Sequence, residues 1–77
     1  MANTITGGSP EVREEIERAL AVLKKDKYRA IVQENGSSGE LSIRFEFGAN
    51  DQTLKFTKDE QRNKGAIEKK IIDDLDI

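Results

Sequence analysis

The spacing of apolar residues changes twice along this chain, and that change limits the folds that are open to it. Between residues 12 and 23 the apolar positions recur every three or four residues, as on one side of a helix: Val12, Ile16, Ala19, Leu20 and Leu23. Between residues 28 and 57 they alternate with polar residues, which is typical of half-buried strands. Helical spacing returns from Ile67 onward. The pattern predicts the order α-β-β-β-α.

Capping signals place the two predicted helices. Ser9 and Pro10 suit the N-cap and the first turn of a helix, which we expect over residues 10–26. Thr57 and Glu60 have the spacing of a capping box, and they open a second helix that runs to about Leu75. Its first half is polar all round and its middle contains a glycine, so a break is expected near residues 63–65.

Three strands lie between the helices and are separated by clusters of turn residues at 35–39 and 48–51. Because the connections are short, we expect an antiparallel meander with both helices packed on the face that carries Phe45, Phe47, Leu54 and Phe56. The fold class is therefore predicted as α+β, with residues 9–77 as a single domain. Residues 1–8 are predicted to be a flexible lead-in, within which 4–6 give a weak strand signal.

The small size of the chain raises the question of what stabilises it. A domain of 77 residues buries only about 60% of the surface that its unfolded chain exposes. The chain contains neither cysteine nor histidine, so we expect no disulfide and no thiolate metal site. Association with a second copy is another way to stabilise a small fold, and a homodimer is one expectation.

Charge and hydropathy limit which partners and which compartment we expect for the protein. The 13 basic and 15 acidic residues give a net charge of −2, without the basic excess of most nucleic-acid-binding proteins. The apolar runs are much shorter than the roughly 20 residues that cross a bilayer. The first residues lack the basic and apolar segments of a signal peptide, so a cytoplasmic protein with no membrane contact is expected.

Residues with catalytic potential are scarce. The serines occupy positions typical of a helix cap, a hairpin turn and an outward strand site: Ser9, Ser37, Ser38 and Ser42. Asp73 and Asp74 are adjacent on a helix, so their side chains diverge and do not form a cation site. The sequence therefore predicts that the protein is not an enzyme and uses no cofactor or metal.

The outward side chains of the three strands define a candidate binding surface. The residues expected there are Arg29, Ile31, Gln33, Ser42, Arg44, Glu46, Thr53, Lys55 and Thr57. Within this set we expect partner contact at Arg29, Ile31, Arg44, Glu46 and Lys55. Three cations against one acid suit an acidic protein surface or a phosphate backbone, but the absence of aromatics argues against base stacking. Alternatively, these residues only keep an exposed sheet soluble.

The tail, residues 71–77, also has two interpretations. Acidic side chains at a helix C-terminus oppose the helix dipole, which is consistent with a peptide that docks into a basic groove on a partner. Alternatively, Ile72 and Leu75 complete the core and the aspartates keep the end of the chain soluble.

The predicted α-β-β-β-α order over residues 10–75 resembles the double-stranded-RNA-binding domain and the small mRNA-interferase toxins built on that scaffold. The resemblance is topological, and fold alone does not imply function. The RNA-binding family has a lysine cluster at the start of its second helix, where this chain mixes signs across residues 58–64; the toxins need a histidine, and this chain has none.

The leading hypothesis is a small non-catalytic protein-binding or regulatory module, such as an inhibitor or accessory factor, that uses the open sheet face or a strand edge. One alternative is a weak nucleic-acid-binding domain that adds Arg62 and Lys64 to the same face. Another alternative is a structural subunit of a larger assembly.

Overall fold

The computed structural model describes residues 3–77, which form an α+β fold. The elements are β1 (Thr4–Thr6), α1 (Pro10–Val22), β2 (Arg29–Glu34), β3 (Leu41–Phe47), β4 (Asn50–Phe56), α2 (Lys58–Arg62) and α3 (Ala66–Asp74). The strands make one sheet in the order β1-β2-β3-β4. β1 is parallel to β2, whereas β2, β3 and β4 are antiparallel neighbours. The predicted α+β class is confirmed.

The predicted meander is present as β2, β3 and β4, but a fourth strand makes the sheet mixed. Thr4, Ile5 and Thr6 are all β-branched, and they pair in parallel with residues 29–31 of β2. A strand of three residues is too short for an alternating pattern to be distinctive, which is why the sequence gives only a weak signal there. Of the predicted flexible lead-in, residues 1–2 lie outside the described residues, and residues 4–6 form β1.

The chain passes from β1 into α1 against the edge of β2, at Gly7 and Gly8. Both glycines have positive φ angles, +80° and +81°. A Cβ on Gly7 would lie 2.6 Å from the carbonyl oxygen of Val32, and one on Gly8 would lie 3.2 Å from a methyl carbon of Val32. Only glycine suits both the backbone conformation and the space. Ser9 then caps α1 by accepting a hydrogen bond from the amide of Val12 at 3.3 Å.

The first helix ends at Val22, one turn earlier than the predicted residue 26. Lys24 adopts the left-handed conformation with φ +57°. The amide of Lys24 bonds to the carbonyl of Ala21, and the amide of Lys25 bonds to the carbonyl of Leu20. This pair of bonds is a Schellman motif. A lysine occupies the position where glycine is usual, so the sequence does not reveal this helix end.

The second helical region is divided where the sequence indicates a break. The capping box is present, since the Thr57 hydroxyl accepts from the Glu60 amide and the Glu60 carboxylate accepts from the Thr57 amide. α2 ends at Arg62, Asn63 is extended, and Gly65 has φ +85° before α3 begins. The Glu15 carboxylate of α1 accepts a hydrogen bond from the Glu68 amide, so α1 supplies a cap to the start of α3.

The core lies between the helices and one face of the sheet. Its fully or almost fully buried members come from α1, the strands β2 to β4, and α3: Ile16, Ala19, Leu20, Ala30, Leu41, Ile43, Phe45, Phe56, Ile67 and Ile71. Leu75 is also buried, with Ile72 and Ile77 packed against the core. Each large apolar side chain in such a core contributes about 1.5–3 kcal/mol. Because the helices pack on this one face, they leave the opposite face of the sheet uncovered within residues 3–77.

Candidate partner-binding surface

The outward residues of the sheet stand in three rows across the strands. Pairing places Arg29, Glu46 and Asp51 in the first row, Ile31, Arg44 and Thr53 in the second, and Gln33, Ser42 and Lys55 in the third. These nine residues are called the open face below. Thr4 and Thr6 of β1 extend the first two rows. The structure therefore brings together the five residues predicted for partner contact.

A chain of ion pairs runs across the open face and is centred on Arg44. Its guanidinium lies 3.2 Å from a carboxylate oxygen of Glu46 and 3.2 Å from one of Asp51. Glu46 also lies 3.9 Å from the guanidinium of Arg29. The charges therefore alternate in sign along Arg29, Glu46, Arg44 and Asp51.

Asp51 reaches this face because the turn before it is shorter than predicted. The sequence pattern places residues 48–51 in a turn, but the loop consists of Gly48 and Ala49 alone. Gly48 takes the positive φ of +61° at the first loop position, as a two-residue hairpin allows. Asn50 and Asp51 consequently pair with Phe47 and Glu46. The open face has three cations against two acids, and not three against one as the sequence predicts.

Most of this charge is already compensated within the face. Arg44 and Arg29 share the two carboxylates, whereas the ammonium group of Lys55 makes no ion pair within residues 3–77. The uncompensated positive charge therefore lies in the third row, at the outer strand of the sheet. A partner carboxylate near Lys55 does not have to displace an acid of this chain.

A shallow hollow of about 250 Å³ lies in the middle of the open face. It is lined by Ile31, Gln33, Ser42, Arg44 and Thr53. Ile31 is half buried and supplies an apolar wall. The short side chain of Ser42 leaves room between longer neighbours. The hollow therefore offers an apolar contact beside the guanidinium of Arg44.

Arg62 and Lys64, the residues of the nucleic-acid alternative, lie elsewhere. They line a groove of about 410 Å³ with three acidic residues of α1, namely Glu11, Glu14 and Glu15. Arg62 also lies 3.7 Å from Asp59 within its own helix. The structure thus places these two cations in the helical layer, in a groove that they share with Arg18 and three carboxylates, and does not bring them to the open face.

Phe47, which is predicted to lie on the core face of the sheet, is partly at the surface. Phe47 is 41% exposed and stacks on Tyr28, with ring centroids 4.4 Å apart. The Tyr28 hydroxyl donates to the main-chain oxygen of Ile77 at 2.6 Å. Phe47 points to the same face of the sheet as Phe45. It stands at the end of its strand, however, where the helices no longer cover the sheet. Its inward orientation was predictable, whereas its exposure was not.

The tail of the chain is held against the sheet by Gln52. The side-chain amide donates to the carbonyl of Asp74 at 2.8 Å and accepts from the amide of Asp76 at 2.7 Å. Together with the burial of Leu75, this contact favours the structural interpretation of residues 71–77.

Clear changes in pKa occur at structural contacts outside the open face. The amide of Thr57 and the ammonium of Lys70 bond to the Glu60 carboxylate and lower its pKa. A hydrogen bond to Glu68 raises the pKa of Arg18.

Within residues 3–77, no three acidic side chains are grouped in a way that would hold a metal ion. What the open face offers is charge and shape for binding.

Comparison with known proteins gave no assignment: no protein-family model, curated protein or solved structure matches the chain. In the described part of the chain, every helix is too short or too polar to cross a bilayer.

Proposed function

We propose that the protein is a small regulatory module, without catalytic activity, that binds another protein through the open face. The observation that supports this most strongly is the gathering of Arg29, Ile31, Arg44, Glu46 and Lys55 on a sheet surface that the described helices leave uncovered. Arginine beside an apolar recess is a frequent composition at the centre of protein interfaces.

The partner that fits this surface is acidic. Arg44 has five N–H donors in a planar fork, and its contacts to Glu46 and Asp51 leave others available. A carboxylate of the partner would bind at Arg44 or Lys55, and a small apolar side chain would enter the hollow beside Ile31. Charge complementarity of this kind increases the association rate and selects the partner.

The open face is small compared with a standard protein interface. Three strands, each about 4.8 Å wide and with residues about 3.4 Å apart over seven positions, cover roughly 14 by 24 Å. That is roughly 340 Å², less than half of the roughly 800 Å² that each partner contributes to a standard interface. One copy of the face supports transient binding, which suits an inhibitor or accessory factor that must be released.

The test is capture of partners from a host lysate by the wild type, by Arg44→Glu and by Lys69→Glu. Lys69 is an exposed cation on α3 and serves as the matched control. We expect a protein that the wild type and Lys69→Glu retain and that Arg44→Glu loses. Circular dichroism checks that each variant is folded.

Two outcomes would contradict the proposal. Equal capture by Arg44→Glu would remove the open face as the binding surface. Loss of all captured material after nuclease treatment, with a steep dependence on salt, would favour the nucleic-acid alternative instead.

A further inference from the structure

The outer strand β4 has a free edge that is suited to another strand. In the described part of the chain, β4 has β3 on one side only and pairs with it at every position from Asn50 to Phe56, without a bulge. In a two-residue hairpin the closing pair, here Phe47 and Asn50, is hydrogen-bonded, and bonded pairs then alternate along the strands. The N–H and C=O groups of Asp51, Thr53 and Lys55 therefore lie in the plane of the sheet and point away from β3, toward the free edge.

Hydrogen bonds to other parts of the chain agree with this orientation. The carbonyl of Lys55 accepts a bond from the ammonium of Lys70, which approaches from outside the sheet. Within residues 3–77, the outward N–H groups of Asp51 and Thr53 donate no hydrogen bond and their carbonyls accept none. Unpaired edges of this kind recruit strands, and natural proteins usually cover or interrupt them.

We propose that two copies of the chain associate through β4, in antiparallel orientation, around a twofold axis at Thr53. In this register Thr53 faces Thr53 of the second copy, and Asp51 of each copy faces Lys55 of the other. All three outward residues then exchange main-chain hydrogen bonds. Opposite charges directly across an antiparallel pair stabilise it, and symmetry makes this contact twice.

Charge selects this register among the alternatives. Centring the axis on Asp51 or on Lys55 would place like charges opposite each other, which destabilises a strand pair. Centring it on Gln52 or Leu54 would not place Asp51 of one copy opposite Lys55 of the other. In the Thr53 register Lys70 loses its hydrogen bond to the carbonyl of Lys55. It retains its ion pair with Glu60, whose carboxylate lies 3.2 Å away.

The twofold axis is perpendicular to the sheet, so both open faces lie on the same side of one continuous eight-stranded sheet. The doubled face, roughly 680 Å² from the same strand spacings, approaches the size of a standard interface. Carboxylates of the partner would bind there at the two Arg44 side chains, because each Lys55 faces Asp51 of the other copy. This consequence rests on the proposed function, whereas the pairing of the strands does not.

Charge reversal tests the register. Asp51→Lys and Lys55→Asp each place like charges across both contacts, and we expect each to weaken dimerisation about tenfold or more. The double variant restores opposite charges and should dimerise like the wild type. An equimolar mixture of the two single variants should form a heterodimer, because every contact then joins Lys to Asp. Sedimentation velocity over a range of concentrations distinguishes the dimer, about 17 kDa, from the 8.6 kDa chain.

Thr53→Pro is the independent variant. It removes an N–H that points away from β3, so the monomer keeps its sheet, as circular dichroism will verify, while the dimer is lost. A wild type that stays monomeric up to about 1 mM, or single variants that dimerise as the wild type does, would overturn the proposal. Partner capture by the wild type at concentrations at which sedimentation shows it to be monomeric would leave the open-face function standing, which separates the two failures.

Discussion

Arg44 and Asp51 are joined across β3 and β4 by a contact of 3.2 Å, although the residue directly opposite Asp51 is Glu46. Two carboxylates in facing positions repel each other. Arg44 lies 3.2 Å from the carboxylate of Glu46 as well. One guanidinium therefore stabilises a cross-strand pair that would otherwise be unfavourable, and it stands at the centre of the proposed binding surface.

This arrangement predicts that Arg44→Ala lowers the free energy of unfolding by about 0.5–1.5 kcal/mol, more than a single exposed ion pair usually contributes. The excess comes from repulsion between Glu46 and Asp51 once the guanidinium is removed. Urea denaturation at low and high salt measures it, and the loss should shrink as salt screens the two carboxylates. Adding Asp51→Asn should restore most of the stability; a double variant no more stable than Arg44→Ala would contradict this account.

Alanine substitutions at the glycines separate backbone strain from steric overlap. Gly65→Ala meets only the strain of φ +85°, since no atom lies within 4 Å of its Cβ. Gly7→Ala adds overlap with the carbonyl of Val32, so it should cost more than the roughly 1–3 kcal/mol of strain alone.

Gly36→Ala is the control, because its Cβ would meet nothing and its φ is not positive. It should leave stability unchanged within about 0.5 kcal/mol in thermal or chemical denaturation. Equal stability of Gly7→Ala and Gly36→Ala would show that the chain does not pass so close to β2.

The partly exposed Phe47 should contribute much less than its neighbour on the same face. We expect Phe47→Ala to cost about 0.5–1.5 kcal/mol through the lost stacking on Tyr28. Phe45→Ala, at a fully buried position, should cost about 3–5 kcal/mol. Equilibrium unfolding in urea compares the two variants, and similar losses would be inconsistent with the end of β3 lying outside the core.

The lowered pKa of Glu60 predicts a dependence of stability on pH. A carboxyl group whose pKa is lower in the folded state stabilises the fold above its unfolded pKa, near the ordinary 4.5, and this contribution is lost as pH falls through the folded value. Glu60→Gln keeps an oxygen for the Thr57 amide but loses the charge that attracts Lys70. The wild type should be the more stable protein at neutral pH, and the difference should shrink as the pH falls below 4.5 and vanish below the folded-state pKa. A difference that is constant across this range would contradict the prediction.

Much of the fold follows from local sequence patterns. The alternation from Tyr28 to Phe56 gives the three antiparallel strands, and the capping residues Ser9 and Thr57 give both helix starts. The end of α1 was not predictable, because Lys24 adopts a left-handed conformation that lysine seldom takes. β1 was no more than a weak signal, since its formation depends on parallel pairing with a strand that lies beyond a helix.

The open face was predictable to the level of which side chains point outward. Arg29, Ile31 and Arg44 follow from alternation alone. The participation of Asp51 depends on where a turn ends, and a shift of two residues in that loop changes the charge of the face. The self-complementary register of β4 follows from the same detail, because Asp51 and Lys55 lie at equal distances from Thr53.

Site-specific photocrosslinking would show whether a partner protein occupies the open face. A photoreactive amino acid at Gln33, on the rim of the hollow, is compared with the same amino acid at Lys69 in the helical layer. We predict that the position 33 probe captures a protein distinct from this chain, and that Arg44→Glu in the same chain abolishes the product. Crosslinks from position 69 alone, or crosslinks from position 33 that persist with Arg44→Glu, would contradict the account.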